Sequence, residues 1–395
     1  MIDELEALRT TRASVDPPSP AARGAARARW DNDLALVPAA APLRTRGGAK
    51  SFTARVAIAS VLATALVSGM WMVTRERIAS VKPEHVVGIT SLADAAATEP
   101  QVFLLVGSDS RAFVDNPTDA QRYGDRSTNA GSRSDTMVLV RVEPKTHRVL
   151  VVSIPRDLFV EIPGCGTQRI NGAFDTQLTC GETRGGMQLL VDTITNDLGV
   201  PINHVIEVRF TQFANLVDEL GGLRIQFPRP ARDAYTGLSE PAGCVTLAGD
   251  QALSFVRSRH FELLDSSWHA DPRADLGRME RQQLALRQLA AAAESRVGTD
   301  PRPVLRSLFA NIVVDRGFTA DDALGYFAAL RGAHQTVTMT LPARAELQHD
   351  SGESGLVLAS GAQSVLDALA GRGTVEQPPG GGPGAPGSSF EATAC

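Results

Sequence analysis

The feature that most constrains this chain is a run without a single charge. "VAIASVLATALVSGMWMV", Val56–Val73, lies between Arg55 and Arg75, and its 18 residues are mostly apolar. A helix needs roughly 20 such residues to cross a bilayer, so one transmembrane helix is predicted over 54–74. The competing reading is a secretory signal, with "ATA" at 63–65 as a cleavage-like site; a leader of about 50 residues ahead of it is too long for that. Arg44, Arg46, Lys50 and Arg55 precede the run, with Arg23, Arg27 and Arg29 further upstream, against Arg75, Arg77 and Lys82 behind it. This bias predicts a single-pass protein of the cytoplasmic membrane, with its N-terminus inside and its folded part extracytoplasmic.

That division orders the rest of the chain. Residues 1–53, with clusters such as "VDPPSPAARGAARARW", hold neither helical nor strand period and read as a disordered cytoplasmic segment. Residues 75–99 read as a linker, 100–370 as the folded domain, and 371–395, with "QPPGGGPGAPGSS", as a flexible tail. No internal repeat is found. The net charge of −5 gives no global pull on polyanions, so nucleic acid is not an expected partner and any anion site must be local. Only Lys50, Lys82 and Lys145 among the 39 cationic side chains are lysines, so that site would be built from arginine. All four cysteines, Cys165, Cys180, Cys244 and Cys395, follow the apolar run, as expected of a disulfide-permissive compartment. Four cysteines allow three pairings; proximity favours Cys165 with Cys180, and four unrelated thiols remain the alternative.

Beyond the linker the pattern is α/β. "VFLLVGSD" is a buried-strand run, and "TMVLVRVEP" and "RVLVVSIP" form an antiparallel hairpin about a short turn containing Pro144. Helices are predicted at "GGMQLLVDTITNDLG", "TQFANLVDELGG", about Gly277–Glu294 and "TADDALGYFAALRG", and strands at "HVIEVRF", "LRIQF" and "TVTMTLP".

Within that pattern "VSIPRDLFVEI" poses a question, because Pro155 interrupts an apolar strand just before an Arg156–Asp157 pair. Proline gives up a ladder donor, so the strand leaves its sheet there and sets both charges at a strand end. The hairpin brings Arg156 and Asp157 beside Arg133 and Asp135 of "GSRSDT". If the first strand is antiparallel to the second, Asp109 and Arg111 of "GSDSR" reach the same edge. Any one such pair alone is an ordinary strand-end ion pair. Several segments converging on one edge describe a ligand crevice. In "FVRSRH", Arg257 and Arg259 alternate and, if extended, project to one side. Guanidinium forks match phosphate oxygens, and paired aspartates suit Mg²⁺, so the set reads as a metal-diphosphate site. By itself, the Asp275, Arg278, Glu280, Arg281 cluster reads as a solvated helix face. His204, His260 and His269 have no metal-ligand spacing.

"FLLVGSDSR", "RSDTMVLVRVEP", "VVSIPRDLFVEIPG", "RINGAF", "LVDELGG", "ALSFVRSRH" and "DLGRMERQQ", in this order over roughly residues 100–345, resemble the LytR-CpsA-Psr family. The resemblance implies a three-layer α-β-α fold with a central mixed sheet. It implies an enzyme that moves a glycopolymer from a polyprenyl diphosphate carrier to peptidoglycan, onto a muramic acid hydroxyl, with Mg²⁺ as cofactor. By position, Asp109 and Asp135 match the family's metal-associated aspartates, and Arg133, Arg156, Arg257 and Arg259 its phosphate-binding arginines. Arg278 and Gln282 match polar residues bordering the pocket, Arg169 stands where many members have lysine, and Asp275 matches an acidic position that could act as a base. Apolar residues of the two central helices could sheath the lipid. Two stretches are longer than usual, Arg111–Ser132 and "FELLDSSWHADPRA", and would reshape the acceptor groove. A polyprenyl diphosphate pyrophosphatase and a membrane-bound regulator are the alternative functions.

Overall fold

The computed structural model describes residues 80–96, 98–108, 134–297, 300–331, 335–347, 354–375 and 392–395. Val56–Val73 lies outside them, and among the described residues no helix is long and apolar enough to cross a membrane.

Seven strands form the central sheet: β1 (His85–Val87), β2 (Gln101–Ser108), β3 (Ser134–Glu143), β4 (Arg148–Ile154), β5 (His204–Arg209), β6 (Val313–Asp315) and β7 (Gln335–Thr340). Their order is β1-β6-β5-β2-β3-β4-β7. β2 runs antiparallel to β3 and β3 to β4, while β5 is parallel to β2 and β7 to β4, so the sheet is mixed, as expected. The continuous apolar runs follow from burial on both faces. Along β2 and β3, Val102, Leu104, Val106, Met137 and Leu139 enter one core, and Phe103, Val138, Val140 and Val142 the other.

The helices are α1 (Met187–Asp197), α2 (Phe210–Glu219), α3 (Gly249–Arg257), α4 (Asp275–Val297), α5 (Arg302–Ala310), α6 (Ala320–Arg331) and α7 (Ala362–Leu369). α1 and α7 fill the first core, with the hairpin Phe159–Ile162/Gly166–Arg169; α5 and α6 fill the second. The outcome is the layered α-β-α arrangement. A third core joins α2, α3 and α4 to short strands around Leu223–Phe227, Ala231–Asp233 and Glu262–Leu264. On β5, His204 bonds buried Asp315 at 3.0 Å and stacks on Phe103, a structural role.

Three segments differ from the sequence reading. β1, within the expected linker, pairs with β6. Thr393–Ala394, within the expected flexible tail, pairs with Leu223–Phe227, and Cys395 is joined to Cys244 across a Cα separation of 5.7 Å. The open edge of Leu223–Phe227 and the cysteine partner supply contacts that composition does not reveal. Cys165 and Cys180 are joined, as favoured, with Cα atoms 5.0 Å apart. The third difference concerns "FVRSRH". Arg257 ends α3 and Ser258 turns out of it at φ −59, ψ 123, so Arg257 and Arg259 do not alternate along an extended segment.

Candidate active site

The ends of β2, β4, β5 and β7 and the start of β3 share one sheet edge, as their directions require. There the β2–β3 register slips: Gly107 faces Thr136, but Ser108 faces Ser134, leaving Asp135 as the extra residue of a bulge. A bulge re-aims its residue out of the ladder. Gly107 permits the close pairing, because a Cβ there would lie 2.9 Å from that of Thr136. Asp135 is described by its backbone only, and Asp109, Arg111 and Arg133 lie outside the described residues. Asp109 follows Ser108 in the chain and Arg133 precedes Ser134. In chemical type, two aspartates without His or Cys are hard oxygen donors of the kind Mg²⁺ takes. Among the described residues no group of three or more His, Cys, Asp or Glu is arranged to hold a metal ion.

Next along the edge, β4 stops at Ile154, and Pro155 accepts a turn bond from the Leu158 N–H at 3.1 Å. That turn answers the question raised by the proline: it lifts Arg156 and Asp157 off the sheet. The Arg156 Nε lies 3.5 Å from one Asp157 oxygen, and the Arg169 Nε 3.9 Å from the other. Arg169 also donates to the Ser354 carbonyl at 2.6 Å, so it braces this turn.

The α3–α4 corner supplies the rest. Arg259 holds Asp275 by one hydrogen bond, Nη2 to Oδ2 at 2.8 Å, with its Nε in ion-pair contact 2.8 Å from Oδ1. Arg278, with only 5% of its side chain exposed, reaches Oδ1 at 3.2 Å. Burial pushes the Asp275 carboxyl up, but Arg278, Arg259 and Arg156 outweigh it and hold it below the usual carboxylate range. Arg259 from the α3 end and Arg278 from α4 therefore share one carboxylate, and Arg156, on the turn after β4, adds its charge to the field that holds it ionised. Held this way, Asp275 is the anion around which Arg259 and Arg278 are fixed. Arg257 stacks its guanidinium 4.4 Å from the Phe210 ring centre, at the residue that follows β5. Gln282 donates to the Val256 carbonyl at 3.2 Å, tying α4 to α3.

Three supporting residues, Asp233, Asp271 and Gln283, escaped the sequence reading, and a fourth, Arg281, is buried where the sequence read a solvated helix face. Buried Asp233 accepts from the Ser258 hydroxyl at 2.6 Å and from the N–H groups of Arg259, His260, Tyr235 and Thr236. Asp271 takes two bonds from Arg273 and one from Arg281, and Gly277 makes room, since a Cβ there would lie 2.4 Å from its Oδ2. Arg281, pushed down to about 10 by burial with Asp271 opposing, donates to the Ser258 carbonyl at 2.7 Å. Gln283 donates to Ser153 Oγ at 2.7 Å and to the Met339 carbonyl at 3.2 Å, fixing α4 against the last turns of β4 and β7. A fifth feature had a signal: "EVR" puts Glu207 and Arg209 on one face of β5, where they pair at 2.9 Å, with the Glu207 carboxyl raised by burial against the pull of Arg209.

A sheet edge that carries guanidinium groups around a carboxylate can bind and orient a polyanion such as a diphosphate. The LytR_cpsA_psr family model matches residues 71–368. The cell wall biosynthesis protein LcpB of Corynebacterium glutamicum is 30% identical over 317 residues, 79% of this chain and 70% of that protein. The polyisoprenyl-teichoic acid–peptidoglycan teichoic acid transferase TagU of Bacillus subtilis is 35% identical over 164 residues, 41% of this chain and 46% of that protein; the chain thus spans under half of that relative's length. Among solved structures, a LytR-Csp2A-Psr enzyme from Actinomyces oris superposes with a TM-score of 0.54 at 23% identity, over 72% of this chain and 96% of that one, which speaks to the fold alone. With a family match across most of its length, this chain belongs to the LytR_cpsA_psr family.

Proposed function

We propose that the protein is a phosphotransferase that moves a glycopolymer from a polyprenyl diphosphate carrier to a muramic acid hydroxyl of peptidoglycan. One observation carries the reading: Arg259 and Arg278 close on Asp275 while Arg156 sits on the Pro155 turn beside Asp157, close enough for its charge to act on Asp275. The names of LcpB and TagU support it. The acceptor oxygen forms a bond to the phosphorus that carries the glycan, and the bond from that phosphorus to polyprenyl phosphate breaks. The hydroxyl proton leaves to solvent, and the charge ends on the departing lipid phosphate. No nucleotide is consumed, since the carrier's diphosphate bond supplies the driving force.

In this account Arg156 and Arg259 face the diphosphate, with Arg257 and the Arg133 and Arg111 segment as further contacts. Arg278 and Asp275 hold that array in place, and Asp275 acts as its anchor. Arg169 braces the Pro155 turn and Gln282 the α3–α4 corner. Asp109 and Asp135 would hold Mg²⁺, which when bound supplies positive charge to the phosphoryl oxygens. The chain is anchored by Val56–Val73, with the folded domain outside the cytoplasmic membrane, next to both substrates.

The test incubates the full chain in detergent with a lipid-linked glycan and isolated peptidoglycan. A covalent glycan–peptidoglycan product is expected. Release of free glycan phosphate alone would make it a pyrophosphatase, and no turnover of the lipid would remove the enzymatic reading. Protease accessibility on intact cells checks the side of the membrane.

A further inference from the structure

Among the described residues four large hydrophobic side chains are exposed, and two of them, Tyr235 at 81% and Leu276 at 53%, flank the Arg259–Asp275 pair. Leu276 follows Asp275 in the chain. Tyr235 lies at the tip of the hairpin Ala231–Asp233/Leu238–Glu240, and its ring sits 4.2 Å from that of His260, the residue after Arg259. Single exposed apolar residues are ordinary. Tyr235 differs in how firmly it is held.

The hairpin tip is fixed from two sides. Asp233 binds the N–H groups of Tyr235 and Thr236 with one oxygen and, with the other, the Ser258 hydroxyl and the N–H groups of Arg259 and His260. Ser254 of α3 donates to the Thr236 carbonyl at 2.8 Å. One buried carboxylate therefore sets the backbone of both the exposed ring and the arginine that grips Asp275. An aromatic ring kept open to water on a rigid support, beside a cation–carboxylate pair, is arranged for a ligand with an apolar face and a polar rim. A sugar ring has that form: its axial C–H groups carry weak positive charge that suits the negative face of an aromatic ring, and its hydroxyls bond forked cations and carboxylates. A rigid aromatic also gives contact area at small entropic cost.

We propose that Tyr235, backed by His260 and with Leu276 at the rim, is a saccharide-stacking subsite that holds a glycan ring next to the diphosphate-binding edge. The identity of the ligand as a glycan rests on the transfer reading. The ring has two sources, the acceptor strand of peptidoglycan and the glycan of the lipid-linked donor, and the test separates them.

The full chain in detergent is titrated with a soluble N-acetylglucosamine–N-acetylmuramic acid tetrasaccharide and, in parallel, with a galactose tetrasaccharide, by ligand-observed NMR and calorimetry. Octaprenyl diphosphate binding is measured on the same samples. Tyr235→Ala should weaken saccharide binding by about 10-fold, Tyr235→Phe should keep it, and both should bind octaprenyl diphosphate as the wild type does. Preference for the muramic acid probe assigns the subsite to the acceptor, and preference for galactose to a donor glycan. If wild type binds neither saccharide at millimolar concentration, or Tyr235→Ala binds them equally well, the proposal is overturned while diphosphate binding stands. If saccharides bind through Tyr235 but octaprenyl diphosphate does not bind, the subsite survives and the diphosphate reading falls.

Discussion

At the turn end of the β3–β4 hairpin, Arg141 lies 2.9 Å from Glu143, two residues along the same strand, and Glu143 also accepts from Thr146 at 2.8 Å. Arg141 also donates from Nη1 to the Leu369 carbonyl at the end of α7, at 3.2 Å. At the opposite edge the Asp275 carboxylate is shared by arginines from the α3 end and α4, Arg156 pairs with Asp157 beside it, and the arrangement is kept in place by contacts as remote as Gln283 to Ser153, 130 residues apart. Both ends combine arginine with carboxylate. The difference is one of reach: the turn end draws its charges from one hairpin, whereas the far edge brings Arg156, Arg169, Arg259 and Arg278 from four segments onto two carboxylates, Asp157 and Asp275. Excess like charge is costly to assemble, so its presence at one edge argues for an anionic ligand there.

The comparison can be broken by substitution. Asp135→Ala should have the largest effect, abolishing turnover and flattening the Mg²⁺ titration; retained Mg²⁺ dependence would remove Asp135 from the metal role. Asp275→Asn should lower turnover by about 100-fold, because the array loses its anchor. The folded Asp275 carboxyl lies below its ordinary range, so its contribution is complete above about pH 4 and lost only as pH falls through the folded value. Acid denaturation followed by circular dichroism should therefore show a step in the wild type that Asp275→Asn lacks. Arg259→Lys keeps the charge but not the fork, and should weaken diphosphate binding by about 10-fold in calorimetry. Gln283→Ala should cost about 1–2 kcal/mol in denaturant unfolding, since it strips partners from buried Ser153 and the Met339 carbonyl. Glu143→Gln, at the turn end, should change stability by less than about 1 kcal/mol and leave turnover as it is.

Much of this was legible in the chain itself. Pro155 announced the end of β4, and the apolar runs announced a sheet covered on both faces, which together put Arg156 at the edge beside the start of β3. The α3–α4 corner was harder. "VRSR" has the alternation of a strand, yet its first arginine closes a helix, because the two periods cannot be told apart over four residues and packing of Phe255 in the third core decides. Asp233, Asp271 and Gln283 look like surface polar residues in sequence, and only tertiary contacts make them buried supports. Asp275 and Arg278 read as a solvated face until Arg259 is brought across from another segment. The strand at Thr393–Ala394 left no local signal beyond Cys395.

The most direct measurement is the affinity of the full chain for octaprenyl diphosphate, compared across wild type, Asp275→Asn and Glu143→Gln. Binding weakened by about 10-fold or more in Asp275→Asn, with Glu143→Gln matching the wild type, is the predicted result. Equal affinity in all three would contradict a diphosphate grip built on Asp275.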